Sequence, residues 1–154
     1  MMTKPVEITH ALRAALHGKR IGALDYGQKR IGFAVCDELH IIASPRGFFA
    51  STLNLMSELQ TAFERERVGA IIIGMPFQHD DTETAMMREI HAFMEELRAH
   101  TTLPMFVVDE AYSSREARQT MIRSGKKKSH RAEKGRTDEV AAALILREFL
   151  RELE

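Results

Sequence analysis

The sequence KRIGALDYGQKRIGFAVCD, residues 19–37, decides the fold of this chain. It contains two apolar runs, residues 21–24 and residues 31–35, which are separated by a short polar segment. Two short apolar runs joined by such a segment predict an antiparallel hairpin. The first strand is expected at about 20–26 and the second at about 30–37.

A carboxylate ends the first of these two strands. Asp25 follows an apolar run that should lie inside a sheet, where an ionised carboxylate is costly unless it is paired or binds a metal. Aspartate is also a common turn residue, and Gly27 can supply the positive φ that a hairpin turn requires. The stretch by itself therefore leaves two interpretations of Asp25 open, as a turn residue or as part of a site.

The whole chain has 154 residues, a length that suits one domain with its own core. It contains no apolar run near the ~20 residues of a membrane helix, and its first residues lack the apolar block of a signal peptide. We therefore expect a cytoplasmic protein without membrane contact. The single cysteine, Cys36, excludes an internal disulfide framework and a cysteine-based zinc site, and it is expected to be a small core residue.

Positive charge is concentrated in one segment of a chain whose formal net charge is zero. Residues 126–136 contain six Lys and Arg residues and one acid, Glu133, so the rest of the chain is acidic overall. This segment is predicted to be a basic loop. It is either a solvated surface turn or a surface that binds a polyanion.

The hairpin is flanked by further predicted elements. Residues 6–16 have the apolar spacing of a helix, which we assign to an N-terminal helical appendage, 1–18, before the main domain, 19–154. A third strand is expected at 40–43, where Pro45 would end it. The two short connections make the first three strands an antiparallel meander.

Strands and helices alternate in the rest of the chain. Two continuous apolar runs, 68–74 and 105–108, predict strands that are buried on both faces. Because these two strands lie between helices, they should pair in parallel through right-handed crossovers. The helices are expected to start at Ser51, at the capping-box pair Asp80 and Glu83, at the pair Ser113 and Glu116, and near Asp138. The prediction is one α/β domain with a five-stranded mixed sheet and helices on both faces.

Two further carboxylates lie at informative positions. Glu110 is at the C-terminal end of the fifth strand, where open α/β sheets place ligands, and Asp138 opens an otherwise apolar helix. If both meet Asp25 in one crevice, their mutual repulsion favours a hard divalent cation among them. Taken singly, each acid is better explained without a site: Glu110 as an exposed strand-end acid, and Asp138 as a helix N-cap or first-turn acid. Asp109 competes with Glu110, because strand alternation sends the two to opposite faces.

Four motifs in sequence order resemble a known family. They are D-x-G-x-K-R-I-G-x-A at 25–34, G-M-P at 74–76, D-E at 109–110, and the basic segment that leads to Asp138 and a helix of small residues. In this order they resemble the YqgF/RuvX-like proteins of the RNase H-like superfamily, which are described as Holliday junction resolvases or as pre-16S rRNA nucleases. The similarity extends over about residues 20–150.

The resemblance implies an RNase H-like sheet of order 3-2-1-4-5 and a metal-dependent endonuclease. The family's acidic triad falls on Asp25, Glu110 and Asp138, as catalytic residues and as ligands of Mg²⁺ or Mn²⁺. In the implied two-metal mechanism Asp25 bridges two ions, and water attacks phosphorus in line. The expected substrate is structured nucleic acid, namely the 5′ end of pre-16S rRNA in ribosome biogenesis, or alternatively a Holliday junction in DNA.

Several basic residues are candidates for binding the phosphate backbone of that substrate. They are Lys29, Arg30, Lys126, Lys127, Lys128 and Arg131. The chain departs from the family pattern at Ala111, where the family usually has arginine, and at 78–81, where it often has glycine. Both departures concern substrate geometry.

Other functions remain open at this point. A non-catalytic nucleic-acid-binding module fits the zero net charge and Ala111. The hairpin also resembles the first phosphate loop of the actin and hexokinase group, but that group surrounds its nucleotide with two such domains. We expect a monomer or a weak homodimer. A junction resolvase should be a two-fold dimer, because it must cut two strands symmetrically.

Overall fold

The computed structural model describes residues 4–110 and 130–154, and it describes residues 130–137 by their backbone alone. Three predictions therefore lie outside the described residues. They are the helix opened by Ser113 and Glu116, the site of Ala111, and the placement of Lys126, Lys127 and Lys128.

The described strands form one sheet. They are β1 (Arg20–Tyr26), β2 (Arg30–Cys36), β3 (Ala43–Ala50), β4 (Val68–Met75) and β5 (Met105–Asp109). The sheet order is β3-β2-β1-β4-β5. β2 pairs antiparallel with β1 and β3, whereas β4 pairs in parallel with β1 and β5. The predicted α/β fold, the mixed sheet and its strand order are confirmed.

Helices cover both faces of this sheet. They are α1 (His10–Leu16), α2 (Leu55–Arg65), α3 (Ala85–Arg98) and α4 (His130–Leu153). α2 and α3 pack on one face and build a first core with Leu24 and Phe33. α1 and α4 pack on the other face and build a second core with Ala23 and Ala34. Successive residues of one strand thus enter different cores, as the pleat requires.

The second core confirms two smaller predictions. The apolar half of α4 packs on the sheet through residues such as Ala142 and Ile145. Cys36 is a buried core residue, whose Sγ accepts a hydrogen bond from the Ile21 backbone N–H at 3.2 Å. Burial raises the pKa of the Cys36 thiol above its ordinary value, so this thiol stays protonated at neutral pH.

The prediction of the third strand is wrong in its position. β3 begins at Ala43, where the predicted strand was to end, and it runs on through Pro45. Pro45 is tolerated because β3 lies at the edge of the sheet, where a missing backbone N–H costs no ladder bond. Residues Ile41 and Ile42 instead form a turn, because their backbone N–H groups donate to Asp37 Oδ1 at 2.8 and 2.9 Å.

The starts of two helices also differ from the prediction. α2 begins after Asn54 and not at Ser51. The N-cap of α3 is Thr84, whose hydroxyl accepts from the Met87 N–H at 3.2 Å. Asp80 does not cap this helix, because its carboxylate accepts from the Thr82 N–H in a local turn at 3.1 Å.

α4 includes at least eight residues before the predicted start near Asp138, because it is already helical at His130, where the second described range begins. Residues 130–136 of the predicted basic loop are therefore helical, and Arg131 lies within α4. Asp138 stands within the helix and is not its N-cap. Sequence alone misplaced this start because the polar, lysine-rich turns of a helix resemble a loop when they contribute no apolar stripe.

The N-terminal segment contacts both the sheet and α4. The Val6 backbone N–H donates to the Val107 carbonyl of β5 at 2.8 Å. Leu12 and Leu16 of α1 are buried in the second core, and Arg13 Nε donates to the Leu153 carbonyl near the end of α4 at 3.1 Å. Among the helices of the described ranges, none combines the length and the apolar character needed to cross a bilayer.

Candidate active site

Asp25 lies near the C-terminal end of the central strand, on the face that α4 covers. Ala23 precedes it by two residues and belongs to the core beneath α4, so alternation places the Asp25 side chain on the same face. Asp25 is only 8% exposed. Asp25 and Glu110 are the two buried polar or charged residues in the part of the chain whose burial is described.

A glycine flanks Asp25 on each neighbouring strand. Gly32 of β2 is the register partner of Asp25. On the other side, Leu24 pairs with Ile73, so Gly74 of β4 lies one step along, beside Asp25. A glycine inside a strand often marks a close approach by another part of the chain. Here each glycine admits one of the other two predicted acids.

Gly32 admits the backbone of Asp138. A Cβ built at Gly32 would lie 2.1 Å from the Asp138 carbonyl oxygen, a contact that no side chain could make. α4 thus rests directly on β2 at this point, and Asp138 sits beside the strand position that pairs with Asp25.

Gly74 admits the side chain of Glu110. A Cβ at Gly74 would lie 2.9 Å from both Cβ and Oε2 of Glu110 and 2.7 Å from Cδ1 of Ile145. The Glu110 backbone N–H donates to the Met75 carbonyl at 3.2 Å, which continues the pairing of β5 with β4. Glu110 is 8% exposed, whereas Asp109 is exposed. The structure therefore places Glu110, and not its competitor Asp109, on the Asp25 side of the sheet.

A cation also belongs to this site. Arg30 Nε donates to Asp138 Oδ2 at 3.0 Å, and both side chains are about one-fifth exposed, at 20% and 23%. Lys29, by contrast, is exposed in the turn between β1 and β2. Of the predicted phosphate-binding residues, the structure brings Arg30 to the acids and leaves Lys29 at the rim. Arg131 is placed by its backbone in α4, and its side chain lies outside the described side chains.

The turn itself differs from the prediction. Among the described glycines, a positive φ occurs at Gly18 and Gly47, so the expectation for Gly27 is wrong. Glycine is needed there for a close approach instead, because a Cβ at Gly27 would lie 2.7 Å from the Arg30 carbonyl oxygen. Asp25 belongs to β1 and does not form the turn.

The donor set around Asp25 suits a hard divalent cation. Asp25, Glu110 and Asp138 offer carboxylate oxygens alone, which are the ligands that Mg²⁺ and Mn²⁺ prefer. Because Gly32 and Gly74 carry no side chain, Asp138 and Glu110 can lie close to the two strands that flank Asp25. Within the described residues no three His, Cys, Asp or Glu side chains already converge tightly enough to ligate one ion. Asp138 lies beside Gly32 and Glu110 lies beside Gly74, so these two acids flank the strand that carries Asp25, and Asp138 is paired with Arg30.

Sequence reasoning missed the two glycines and the pairing of Arg30 with Asp138. The signal for Gly32 and Gly74 was present, since each interrupts a strand of large apolar residues. The ion pair had no local signal, because 108 residues separate its partners along the chain.

Solved structures share this fold. The "T. thermophilus RuvC in complex with Holliday junction substrate" is 12% identical, with a TM-score of 0.51 over 82% of this chain and 91% of that chain. The Fowlpox virus resolvase, solved with its substrate Holliday junction DNA, is 10% identical, with a TM-score of 0.54 over 87% and 98%. The sheet order and these similarities define an α/β domain of the RNase H-like resolvase fold.

Sequence comparisons identify the family. The family model described as "RuvX: Holliday junction resolvase" matches residues 19–152, and the chain belongs to this family. A relative from Chlorobium luteolum is 42% identical over 86% of this chain and 94% of its own length, and one from Christiangramia forsetii is 40% identical over 86% and 98%. Both carry the name "Putative pre-16S rRNA nuclease". Membership of a resolvase family makes the chain a nuclease, a hydrolase of phosphodiester bonds.

Proposed function

We propose that the chain is a metal-dependent endonuclease whose catalytic residues are Asp25, Glu110 and Asp138. One observation carries the proposal: Asp25 lies between two glycines, one of which packs against Asp138 and the other against Glu110. Two carboxylates buried on the same side of the sheet repel each other when both are ionised. A divalent cation bound between them would reduce this repulsion.

The three carboxylates would hold Mg²⁺ or Mn²⁺. Such ions, when bound, stabilise the charge that develops on the attacking and leaving oxygens of a phosphodiester. The chain itself supplies the rigid placement of its ligands. Asp25 extends from β1, Glu110 follows β5 on the far side of β4, and α4 contacts Gly32 at Asp138.

Arg30 supplies a positive charge at the edge of the site. Its Nε already donates to Asp138, and its 20% exposure leaves part of the guanidinium open to solvent. A guanidinium presents five donors, so Arg30 can retain Asp138 and also bind a substrate phosphate oxygen. Lys29, Lys126, Lys127, Lys128 and Arg131 complete the proposed phosphate-binding set by charge and by their place in the sequence.

The substrate that the relatives' names favour is the precursor of 16S rRNA, which the enzyme would process at its 5′ end. The family description and the solved resolvases favour a Holliday junction as the second candidate. We propose a monomer or weak homodimer in the cytoplasm as the acting form, because a single site is sufficient to cut one RNA strand. Symmetric cleavage of a junction would require the dimer.

A side-by-side cleavage assay tests this function. The purified chain is incubated with a pre-16S rRNA fragment and with a four-way DNA junction, each in Mg²⁺, Mn²⁺ or excess chelator. We expect cation-dependent cleavage of the RNA fragment. Cleavage of the junction alone would assign the second candidate. Binding of either substrate without cleavage in both cations would show a non-catalytic binding module.

The variant Asp25→Asn tests the site within the same assay. Losing a residue that merely orients a ligand costs about 10–100-fold in activity, so replacing a ligand should cost more than about 100-fold. Asp80→Asn is the matched control, because Asp80 is an exposed aspartate in a loop turn. Equal turnover of Asp25→Asn and Asp80→Asn, both folded by circular dichroism, would reject the assignment.

A further inference from the structure

Two adjacent carboxylates fasten α4 to the hairpin of β2 and β3. Asp138 Oδ2 accepts from Arg30 Nε of β2 at 3.0 Å, and Glu139 Oε2 accepts from the Gly47 backbone N–H of β3 at 2.6 Å. Neighbouring residues of a helix point about 100° apart around its axis. The two bonds therefore restrain the rotation of this end of α4 about its axis, beyond the first apolar residues that pack in the second core.

A β-bulge supplies the donor for Glu139. Gly32 pairs with Phe48 and Ala34 with Pro45, so β3 advances three residues where β2 advances two. The extra residue of a bulge leaves the regular ladder, and bulges often occur beside active sites. Gly47 lies within this bulge at φ +90°, a conformation that favours glycine. Its N–H points to the Glu139 carboxylate.

Glu139 itself contacts β3, and Asp25 lies two strands away on β1. Asp138, one residue earlier, rests over β2, which is the strand next to Asp25. The carboxylate of Glu139 thus binds the edge strand, while the carboxylate of Asp138 binds Arg30 of β2, the strand next to Asp25. The same turn of helix carries one residue for anchoring and one for the proposed chemistry.

We infer that Glu139 is a positioning residue: its bond to the Gly47 bulge holds Asp138 at the place where it completes the metal site. This inference rests on the proposed function and adds a residue to it that touches neither metal nor substrate. The bond is charge-assisted and short, so it resists the rotation of α4 that would withdraw Asp138 from Gly32. Arg30 alone tolerates such a rotation, because its long side chain can follow Asp138.

Two variants of Glu139 separate positioning from general stability. Glu139→Gln retains a carbonyl oxygen that accepts from Gly47, whereas Glu139→Ala removes the acceptor. We expect Glu139→Ala to speed hydrogen exchange of the Gly47 amide, measured by NMR, and to weaken Mn²⁺ binding, measured by electron paramagnetic resonance, by about 10–100-fold. The kcat of cleavage should fall similarly while KM changes little. Glu139→Gln should lie within about threefold of the wild type in all three measurements.

Glu148→Ala is the matched control. Glu148 lies on the same helix and pairs with Arg151 on an exposed surface, so its loss should leave Gly47 exchange and Mn²⁺ affinity unchanged. A Glu139→Ala variant with wild-type Mn²⁺ affinity, or a Glu139→Gln variant as defective as Glu139→Ala, would overturn the positioning role alone. A wild type that binds no Mn²⁺ through Asp25 would overturn the proposed function together with it.

Discussion

At the scale of single residues, the candidate site depends on two glycines as much as on its carboxylates. Asp25 can take its place beside Glu110 and Asp138 because Gly32 and Gly74 leave room for them. The acids were predicted from the sequence by resemblance, by the places of Asp25 and Glu110 at strand ends, and by the place of Asp138 at an expected helix start. Their contacts were not, since a contact between residues 32 and 138 depends on how α4 packs on the sheet.

The neighbouring acids Asp109 and Glu110 allow a matched comparison at the end of β5. Glu110→Gln should reduce cation-dependent cleavage by more than about 100-fold, because it replaces a proposed ligand, while Asp109→Asn should retain activity within about threefold. The two substitutions are chemically alike and differ in burial, since Glu110 is buried and Asp109 is exposed. Initial cleavage rates at saturating Mn²⁺ measure the difference. A greater loss of cleavage activity in Asp109→Asn than in Glu110→Gln would assign the role of metal ligand to Asp109 and not to Glu110.

Gly32→Ala tests the close approach of α4. The added methyl group would meet the Asp138 carbonyl oxygen at 2.1 Å, and this atom belongs to a helix backbone that cannot move alone. We expect a loss of at least about 1–3 kcal/mol in the free energy of unfolding, measured with urea. Gly69→Ala is the control, because the three atoms nearest to its new methyl group belong to the Lys19 side chain, at 3.1–3.3 Å, and not to a helix backbone. Equal stability of the two variants would contradict the described packing.

At the scale of elements, the sequence predicted those whose apolar pattern faces a core. The order of strands was implied by the family resemblance, and the parallel pairing of the last two strands followed from their places between helices; both are confirmed. β3 was predicted at the wrong position because Pro45 was expected to end the strand. An edge strand tolerates proline, but whether a strand lies at the edge is a property of the whole sheet and not of the local sequence. The early start of α4 was missed because its first turns are polar.

The turn between β2 and β3 depends on the ionised form of Asp37. Hydrogen bonds from Ile42 and Ile41 lower the pKa of Asp37 below its ordinary value. A lowered pKa stabilises the folded chain above the unfolded pKa of about 3.9, and this contribution disappears as the pH falls through the folded pKa. Asp37→Ala should therefore cost about 0.5–1.5 kcal/mol per lost hydrogen bond at pH 7. The difference from the wild type, measured by urea unfolding, should shrink below about pH 4.

At the scale of the whole molecule, the segment before residue 19 contributes buried side chains to the second core. The family model matches the chain from residue 19 to residue 152. Nevertheless Leu16 is 1% exposed, and α1 contacts the end of α4. The division into an appendage, 1–18, and a main domain, 19–154, stays a prediction that stability measurements can examine.

Leu16→Ala provides that measurement. Removing a buried leucine side chain typically costs about 2–5 kcal/mol, so this variant should unfold at clearly lower urea concentration. Leu53→Ala should change the free energy of unfolding by less than about 0.5 kcal/mol, because Leu53 is fully exposed. If Leu16→Ala were as stable as Leu53→Ala, the N-terminal segment would be a true appendage that the domain does not need.

Neither edge strand of the sheet is suited to pairing with a strand of another molecule. On one side Pro45 removes a backbone donor and the bulge at Gly47 twists the outer strand; on the other side Val6 already occupies part of the five-residue strand β5. Stacking of copies into a continuous ribbon is thereby discouraged even at high concentration. We therefore expect a homodimer of this chain to join through helices or loops, which would leave the sheet of each copy intact.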